Sequence, residues 1–214
     1  MTEVDLMVFD FDGTLVCSGD DLVASVNHTL EQLGRASLQK NKIIGYIGDG
    51  VRKLIERSLG DAFPEKFDEA LQVFMAYYGK HLLDSTDLYP GVIDVLDHFQ
   101  NKKKIIVTNK MQSFTVRITE GLGIAHHFND IIGVDSTSYK KPDSRLIAPV
   151  FEKYGIKKRR SVVIGDGDND ILLAKNIGAL SCALLNGLGA RDKLLSLKPD
   201  YFCESIEEVK TMFC

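Results

Sequence analysis

The sequence predicts an α/β protein: a doubly wound parallel sheet, interrupted after its first strand by an inserted α-helical unit. Three observations carry that expectation. Short apolar runs alternate with helix-period stretches through the later chain, the order that builds strand–helix–strand crossovers. An interval near the amino terminus breaks the alternation and holds only helical periods. Residues able to do chemistry stand directly behind several apolar runs, where open α/β sheets bind their ligands.

The first run, Leu6 to Phe9, reads as a buried strand that ends at Asp10. From about Cys17 to Leu88 no strand pattern is evident. Leu22, Val23, Val26, Leu30 and Leu33 recur at helical spacing, followed by Val51, Leu54, Ile55 and Leu59, and then by Phe67, Leu71, Phe74, Met75, Tyr78 and Leu82. These periods predict a separate helical bundle over 17–88, with residues 1–16 and 89–214 forming the sheet domain. Val16 to Asp20 and Asp84 to Pro90 are the hinge candidates. Strands are then expected at Ile105 to Val107, Ile131 to Val134, Val162 to Ile164 and Ser181 to Leu185. Helices are expected at Val92 to Phe99, Ser113 to Leu122, Leu146 to Tyr154, Asp170 to Ile177 and Ile206 to Phe213.

With 214 residues, 44% of them hydrophobic, the chain can bury a sizeable core. A net charge of -4 offers no electrostatic argument for a nucleic-acid or anionic-membrane partner. The basic runs Lys102-Lys103-Lys104 and Lys157-Lys158-Arg159-Arg160 read as solvated loops before strands. No leader pattern is evident and no apolar stretch reaches the ~20 residues that span a bilayer, so a cytoplasmic location is expected. Cys17, Cys182, Cys203 and Cys214 lack zinc or C-x-x-C spacing and read as reduced thiols.

Asp10 and Asp12, in Val8-Phe9-Asp10-Phe11-Asp12-Gly13-Thr14, are the key pair. Residues two apart on an extended strand face the same way, and Gly13 permits the sharp departure that follows. Alone, such a pair reads first as a strand end with solvated carboxylates. The other strand ends decide between these readings: Thr108-Asn109-Lys110, then Lys141-Pro142, then Gly165-Asp166-Gly167-Asp168-Asn169-Asp170. Phosphoryl transfer needs an in-line nucleophile, a cation, donors around the phosphoryl oxygens and proton management at the leaving oxygen. Asp10 suits the nucleophile and Asp12 the general acid/base. Mg²⁺, a hard octahedral cation, would be held by Asp10, Asp166 and the backbone carbonyl of Asp12. Thr108 and Asn109 offer a hydroxyl and an amide, although Asn109 or Gln112 could equally cap the following helix. Lys141 would face the phosphoryl oxygens, kept in place by Asp170. The 166–170 segment is not a calcium loop of the EF-hand type, since Ile171 and Ile177 stand where Gly and Glu are required. Nor is it a dinucleotide fingerprint, since Asp170 replaces the third glycine.

In that order, Asp-Phe-Asp-Gly-Thr, Thr-Asn, Lys-Pro and Gly-Asp-x-x-x-Asp resemble the motifs of the haloacid dehalogenase superfamily, over nearly the whole chain. The resemblance implies a Rossmann-like core, a C1-type helical cap over 17–88, Mg²⁺ as cofactor, Asp10 as nucleophile, Asp12 as acid/base and Asp166 as metal ligand. Within the superfamily the chain is most similar to phosphoglycolate phosphatases, through Tyr46-Ile47-Gly48-Asp49-Gly50-Val51, Leu54-Ile55-Glu56-Arg57-Ser58-Leu59 and Val107-Thr108-Asn109-Lys110. It departs from them in lacking a second proline after Pro142 and in carrying Gly167 where serine is common.

The expected activity is Mg²⁺-dependent hydrolysis of a small, phosphoglycolate-like phosphomonoester through an aspartyl-phosphate. In the cap, Gly48 and Gly50 would allow close backbone approach, and Arg52 or Lys53 would meet a substrate carboxylate. A sugar-phosphate mutase, or a phosphatase directed at nucleotides or pyrophosphate, would use the same core. A silent domain binding phosphometabolites or proteins predicts a missing nucleophile or metal ligand, and none is missing. Monomer and homodimer both remain open.

Overall fold

The computed structural model describes residues 1–214. Strand β1 (Leu6–Phe9) is buried along its whole length. A two-stranded antiparallel ribbon, β2 (Val16–Cys17) with β3 (Asp87–Leu88), brackets helices α1 (Gly19–Gln32), α2 (Lys40–Ile44), α3 (Val51–Leu59) and α4 (Phe67–Tyr78). The chain continues through α5 (Val92–His98), β4 (Lys103–Val107), α6 (Gln112–Gly121), β5 (Asp130–Ile132), α7 (Ala148–Tyr154) and β6 (Ser161–Gly165). It ends with α8 (Asp168–Ile177), β7 (Leu180–Leu184), α9 (Arg191–Ser196), β8 (Tyr201–Cys203) and α10 (Val209–Met212).

The main sheet has the order β5-β4-β1-β6-β7-β8 with every pair parallel, the doubly wound architecture expected from the sequence. Side chains alternate between its faces. Met7, Phe9, Ile106, Val162 and Ile164 pack with Val95 of α5, Ile118 of α6 and Val209 of α10. Leu6, Val8, Ile105, Val107 and Val163 pack with Val150 of α7 and Leu173 and Ala174 of α8. Helices on both faces explain why these strands read as unbroken apolar runs rather than alternating ones. The winding reverses beside β1, whose neighbours are β4 and β6, so the crevice at a switch point opens at the carboxyl ends of these three strands.

Several local expectations are corrected. β8 adds to the expected strands, because only Cys203 of its three residues is buried and no apolar run marks it, and β2 and β3 are shorter still. Helices α2 and α9 are likewise too short to show a period. The helical unit is continuous in packing with the sheet domain. Leu22, Val26, Leu54, Phe74 and Tyr78 lie in one continuous cluster with Phe9, Phe11 and Phe114.

The two hinge candidates are tied together. The buried Asp21 carboxylate, in the first turn of α1, accepts from the Ser85 amide at 2.9 Å, the Thr86 amide at 2.9 Å and the Thr86 hydroxyl at 2.7 Å. Lys104 does not belong to a solvated loop. It lies in β4, 2% exposed, and donates to the Phe99 carbonyl at 2.7 Å, with burial holding its pKa below the ordinary lysine value. All four cysteines are free, and no helix is long and apolar enough to cross a membrane.

Candidate active site

β1 runs out at Asp10, whose amide donates to the Ile164 carbonyl of β6 at 2.9 Å, so the sheet ladder itself places this carboxylate at the mouth of the crevice. The chain then turns at Gly13, where φ is +87° and a Cβ would lie 2.2 Å from Asp166 Oδ2. Only glycine fits both demands. Thr14 follows and donates to Asp166 Oδ1 at 2.9 Å. Asp166 Oδ2 accepts from the amides of Leu188 at 2.7 Å and Gly189 at 3.1 Å, in the loop behind β7.

Lys141 is the cation of the site. Its Nζ lies 2.6 Å from Asp10 Oδ1 and 2.7 Å from Asp170 Oδ1, and it is almost wholly buried. Burial alone would depress its pKa, but Asp10 and Asp170 hold it above the ordinary lysine value, so Lys141 stays charged. One carboxylate oxygen from each of Asp10, Asp166 and Asp170 lies within 4.8 Å of the others. Asp166 is pushed up to about 7, first by burial and then by the negative charge of Asp10. Asp170 is raised by the same two causes in the same order.

Three clustered buried carboxylates, of which only Asp10 and Asp170 contact the ammonium, are short of positive charge, and an oxygen-rich donor set of this kind fits a hard divalent cation such as Mg²⁺. Asp12 stands outside that side-chain cluster. Its carboxylate turns to Ser18, which donates to Oδ1, and to Lys110, whose Nζ lies 2.9 Å from Oδ1. A metal contact from Asp12 would therefore have to come from its backbone carbonyl.

Thr108 and Asn109 extend from the end of β4. The buried Thr108 hydroxyl accepts from the Lys110 amide at 3.1 Å and keeps its own proton for donation. Asn109 does not cap α6, which is preceded by Met111 without a side-chain cap. Instead Asn109 Oδ1 accepts from the Lys141 amide at 3.1 Å and Nδ2 donates to the Gly48 carbonyl at 2.9 Å, joining the lysine loop to the helical unit.

Gly48 lines the cleft and Gly50 only the narrow arm beside it, where a Cβ on Gly50 would come 3.0 Å from the Asn109 carbonyl. Arg52 and Lys53 do not line it. The turn of α3 that buries Leu54 and Ile55 carries Arg52 over the Phe67 ring, 4.6 Å from its centroid, and Lys53 to Glu56 at 2.8 Å. Arg57, further along α3, is the guanidinium on the cleft wall. It donates to the Tyr46 carbonyl at 3.1 Å and pairs with Asp49, which accepts in turn from Asn169 at 2.9 Å. The cleft holds about 520 Å³ between Asp10, Lys141 and Asp166 on one side and Asp49 and Arg57 on the other. A narrow apolar arm of about 60 Å³ runs from it past Asp12 toward Phe74 and Phe114.

The sequence profile described as haloacid dehalogenase-like hydrolase matches residues 7–184, from within β1 to the end of β7. The chain belongs to that family. Among curated relatives, a phosphoglycolate phosphatase from Vibrio parahaemolyticus is 30% identical over 97% of this chain and 95% of its own length. Phosphoglycolate phosphatase 1 from Pseudomonas aeruginosa is 35% identical over 85% of this chain and 70% of its own length. A solved structure described as a predicted phosphoglycolate phosphatase from Haemophilus somnus superposes with a TM-score of 0.94 at 28% identity, covering 99% of both chains. The resemblance drawn from the motifs is thereby borne out.

Thr14, Ser18, Arg57, Lys110 and the Leu188-Gly189 amides are neighbours of the site to which the motifs assign no role. Asn186-Gly187-Leu188-Gly189 does carry a signal, a glycine-rich turn at a strand's carboxyl end, where a Cβ on Gly189 would lie 1.8 Å from the Asp166 carbonyl oxygen. Arg57 carries none, since its direction depends on how α3 docks.

Proposed function

We propose that the protein is a Mg²⁺-dependent phosphatase that hydrolyses a small carboxylated phosphomonoester of the phosphoglycolate type through an aspartyl-phosphate on Asp10. The observation that carries this reading is the Asp10 carboxylate at the end of β1, 2.6 Å from the Lys141 ammonium and beside Asp166, opening into a cleft large enough for a small metabolite. The relatives named as phosphoglycolate phosphatases support the substrate class.

In the first half-reaction an Asp10 oxygen bonds to phosphorus as the bond to the leaving oxygen breaks, and the Asp12 carboxyl gives its proton to that oxygen. In the second, Asp12 takes a proton from water, the water oxygen bonds to phosphorus, and the Asp10–phosphorus bond breaks to release phosphate. Lys141 and the Thr108 hydroxyl bind and orient the phosphoryl oxygens throughout. Asp10 and Asp166, with the backbone carbonyl of Asp12, are the residues that would hold Mg²⁺. Bound there, the ion supplies charge neutralisation for the phosphoryl group. Residues 17–88 act as the cap over the core formed by 1–16 and 89–214, and Arg57 meets the substrate carboxylate in the place that the sequence assigns to Arg52 or Lys53.

A panel of phosphoglycolate, nucleotides, sugar phosphates and pyrophosphate, with Mg²⁺ and with chelator, tests the reading. Phosphate release is expected from phosphoglycolate, with Mg²⁺ only. Arg57→Ala is expected to raise KM for phosphoglycolate about tenfold, the loss of one charge-assisted contact of roughly 1.4 kcal/mol, while KM for a phosphomonoester without a carboxylate changes little. Release without metal, or no release from any ester, overturns the proposal.

Metal affinity has an expected pH dependence. The cation binds the ionised carboxylate, and Asp166 is raised to about 7, so protons compete below that value and not above it. Affinity for Mg²⁺, measured calorimetrically, should rise as pH climbs toward about 7 and level off beyond it. The stability of the metal-free protein should move the opposite way. A carboxyl raised on folding binds more protons in the native than in the unfolded state between 3.8 and about 7, so stability falls as pH rises through that window.

A further inference from the structure

Lys110 and Tyr78 form a connection from the helical unit to Asp12 that takes no part in either half-reaction. Lys110 follows Asn109 behind β4, but its side chain turns inward and is only 5% exposed. Its Nζ lies 2.9 and 3.3 Å from the two Asp12 oxygens, donates to the Tyr78 hydroxyl, and stands 4.7 Å from the centroid of the Tyr78 ring. Tyr78 is the last residue of α4 and is 1% exposed. Its ring stacks on Phe74 and meets Phe114 of α6 edge-on, with both pairs of centroids 5.4 Å apart. Burial above all keeps the hydroxyl protonated, with its pKa pushed up to about 12. Asp12 also accepts from Ser18, the residue just before α1. The acid/base carboxylate is thus held from both ends of the helical unit, directly through Ser18 and through Lys110 from Tyr78.

A buried ammonium beside Leu22, Leu54, Phe74 and Phe114 is costly compared with an apolar side chain of the same shape. General stability does not account for a lysine there. Its donors aim at one carboxylate and one hydroxyl, and they fix the direction of that carboxylate. We propose that Lys110 and Tyr78 are positioning residues that orient Asp12 toward the leaving oxygen, so that proton transfer is available only while α4 is packed against the core. The inference rests on the phosphatase reading above, with Asp12 as the acid/base.

The test separates the half-reactions by leaving group. The alkoxide of phosphoglycolate must be protonated as it departs, whereas p-nitrophenolate leaves without help. Lys110→Met is expected to slow single-turnover release from phosphoglycolate about 100-fold, the lower end of what a placed acid contributes, with KM little changed. Tyr78→Phe keeps the packed ring and loses the hydroxyl, and should slow it about tenfold, the scale of one lost hydrogen bond. With p-nitrophenyl phosphate, the pre-steady-state burst should persist in both variants, followed by a slowed steady state because water activation also uses Asp12. Equal losses in the burst and in the phosphoglycolate turnover would mean general damage to the site and overturn the proposal. So would unchanged phosphoglycolate turnover in folded Tyr78→Phe and Lys110→Met. A wild-type protein with no burst and no phosphate release refutes the phosphatase reading itself, and is recognised before any variant is made.

Discussion

Asp10→Asn should abolish turnover, with a fall of at least about 10⁴-fold in kcat, the scale on which loss of a nucleophile is felt in enzymes that form covalent intermediates. An amide cannot form the acyl phosphate. The variant should nevertheless fold, because asparagine is nearly isosteric with aspartate and Lys141 keeps Asp170 as its partner at 2.7 Å. Mg²⁺ binding should survive in weakened form through Asp166. Phosphate release, circular dichroism and calorimetry on the same preparation check all three expectations. Hydrolysis that persists in a folded Asp10→Asn protein would refute the assigned nucleophile.

Lys141→Met should be the most damaging change to stability, and it should also slow turnover. The substitution leaves the buried Asp10 and Asp170 carboxylates without the ammonium now 2.6 and 2.7 Å away. Breaking a buried pair by removing one partner costs about 3–5 kcal/mol, which lowers Tm by roughly 6–20 °C in a chain of this size. Loss of a charge facing the phosphoryl oxygens should lower kcat by about 10²–10³-fold. Mg²⁺ should narrow the Tm gap to wild type, because a second cation is then the only charge opposing the carboxylates. Thermal denaturation with and without Mg²⁺ measures this. A variant with wild-type Tm in the absence of metal would show that Lys141 does not neutralise the cluster.

The two predictions differ in what makes their residues visible. Asp10 is legible from local information, an apolar run that stops at Asp-x-Asp-Gly. Lys141 is an ordinary lysine by any local measure, next to the equally plausible Lys140. It gains meaning only from Pro142 beside it and from its place in the order of strand ends. Asp170 is its expected partner, and the structure brings the two together. For Arg52 and Lys53 the same reasoning fails. All the residues of α3 share one sequence neighbourhood with Gly48 and Gly50, and nothing in that neighbourhood states which side of the helix faces the cleft. The docking that buries Leu54 and Ile55 turns Arg57 inward and the other two away.

Lys110 illustrates a further limit. It belongs to the strand-end motif Thr108-Asn109-Lys110, but its contacts depend on Tyr78, which is far away in sequence and reads as one more apolar position of a helical period. Lys104 fails in the opposite direction, since a run of three lysines reads as solvated although β4 takes in Lys103 and Lys104 and buries the second of them.

By itself the sequence determined the alternation of strands and helices, the placement of an inserted helical segment after β1, and the four strand-end motifs that gather at one edge of the sheet. These follow from side-chain periodicity and from the rule that ligands bind beyond the carboxyl ends of parallel strands, both of which act over a few residues. Only the tertiary structure decided that the helical unit shares one core with the sheet, that Arg57 faces the cleft, and that Asp12 is held through Lys110 from Tyr78. Those outcomes depend on the rotation and seating of whole helices against the sheet, which are set by packing among residues that are remote in the chain.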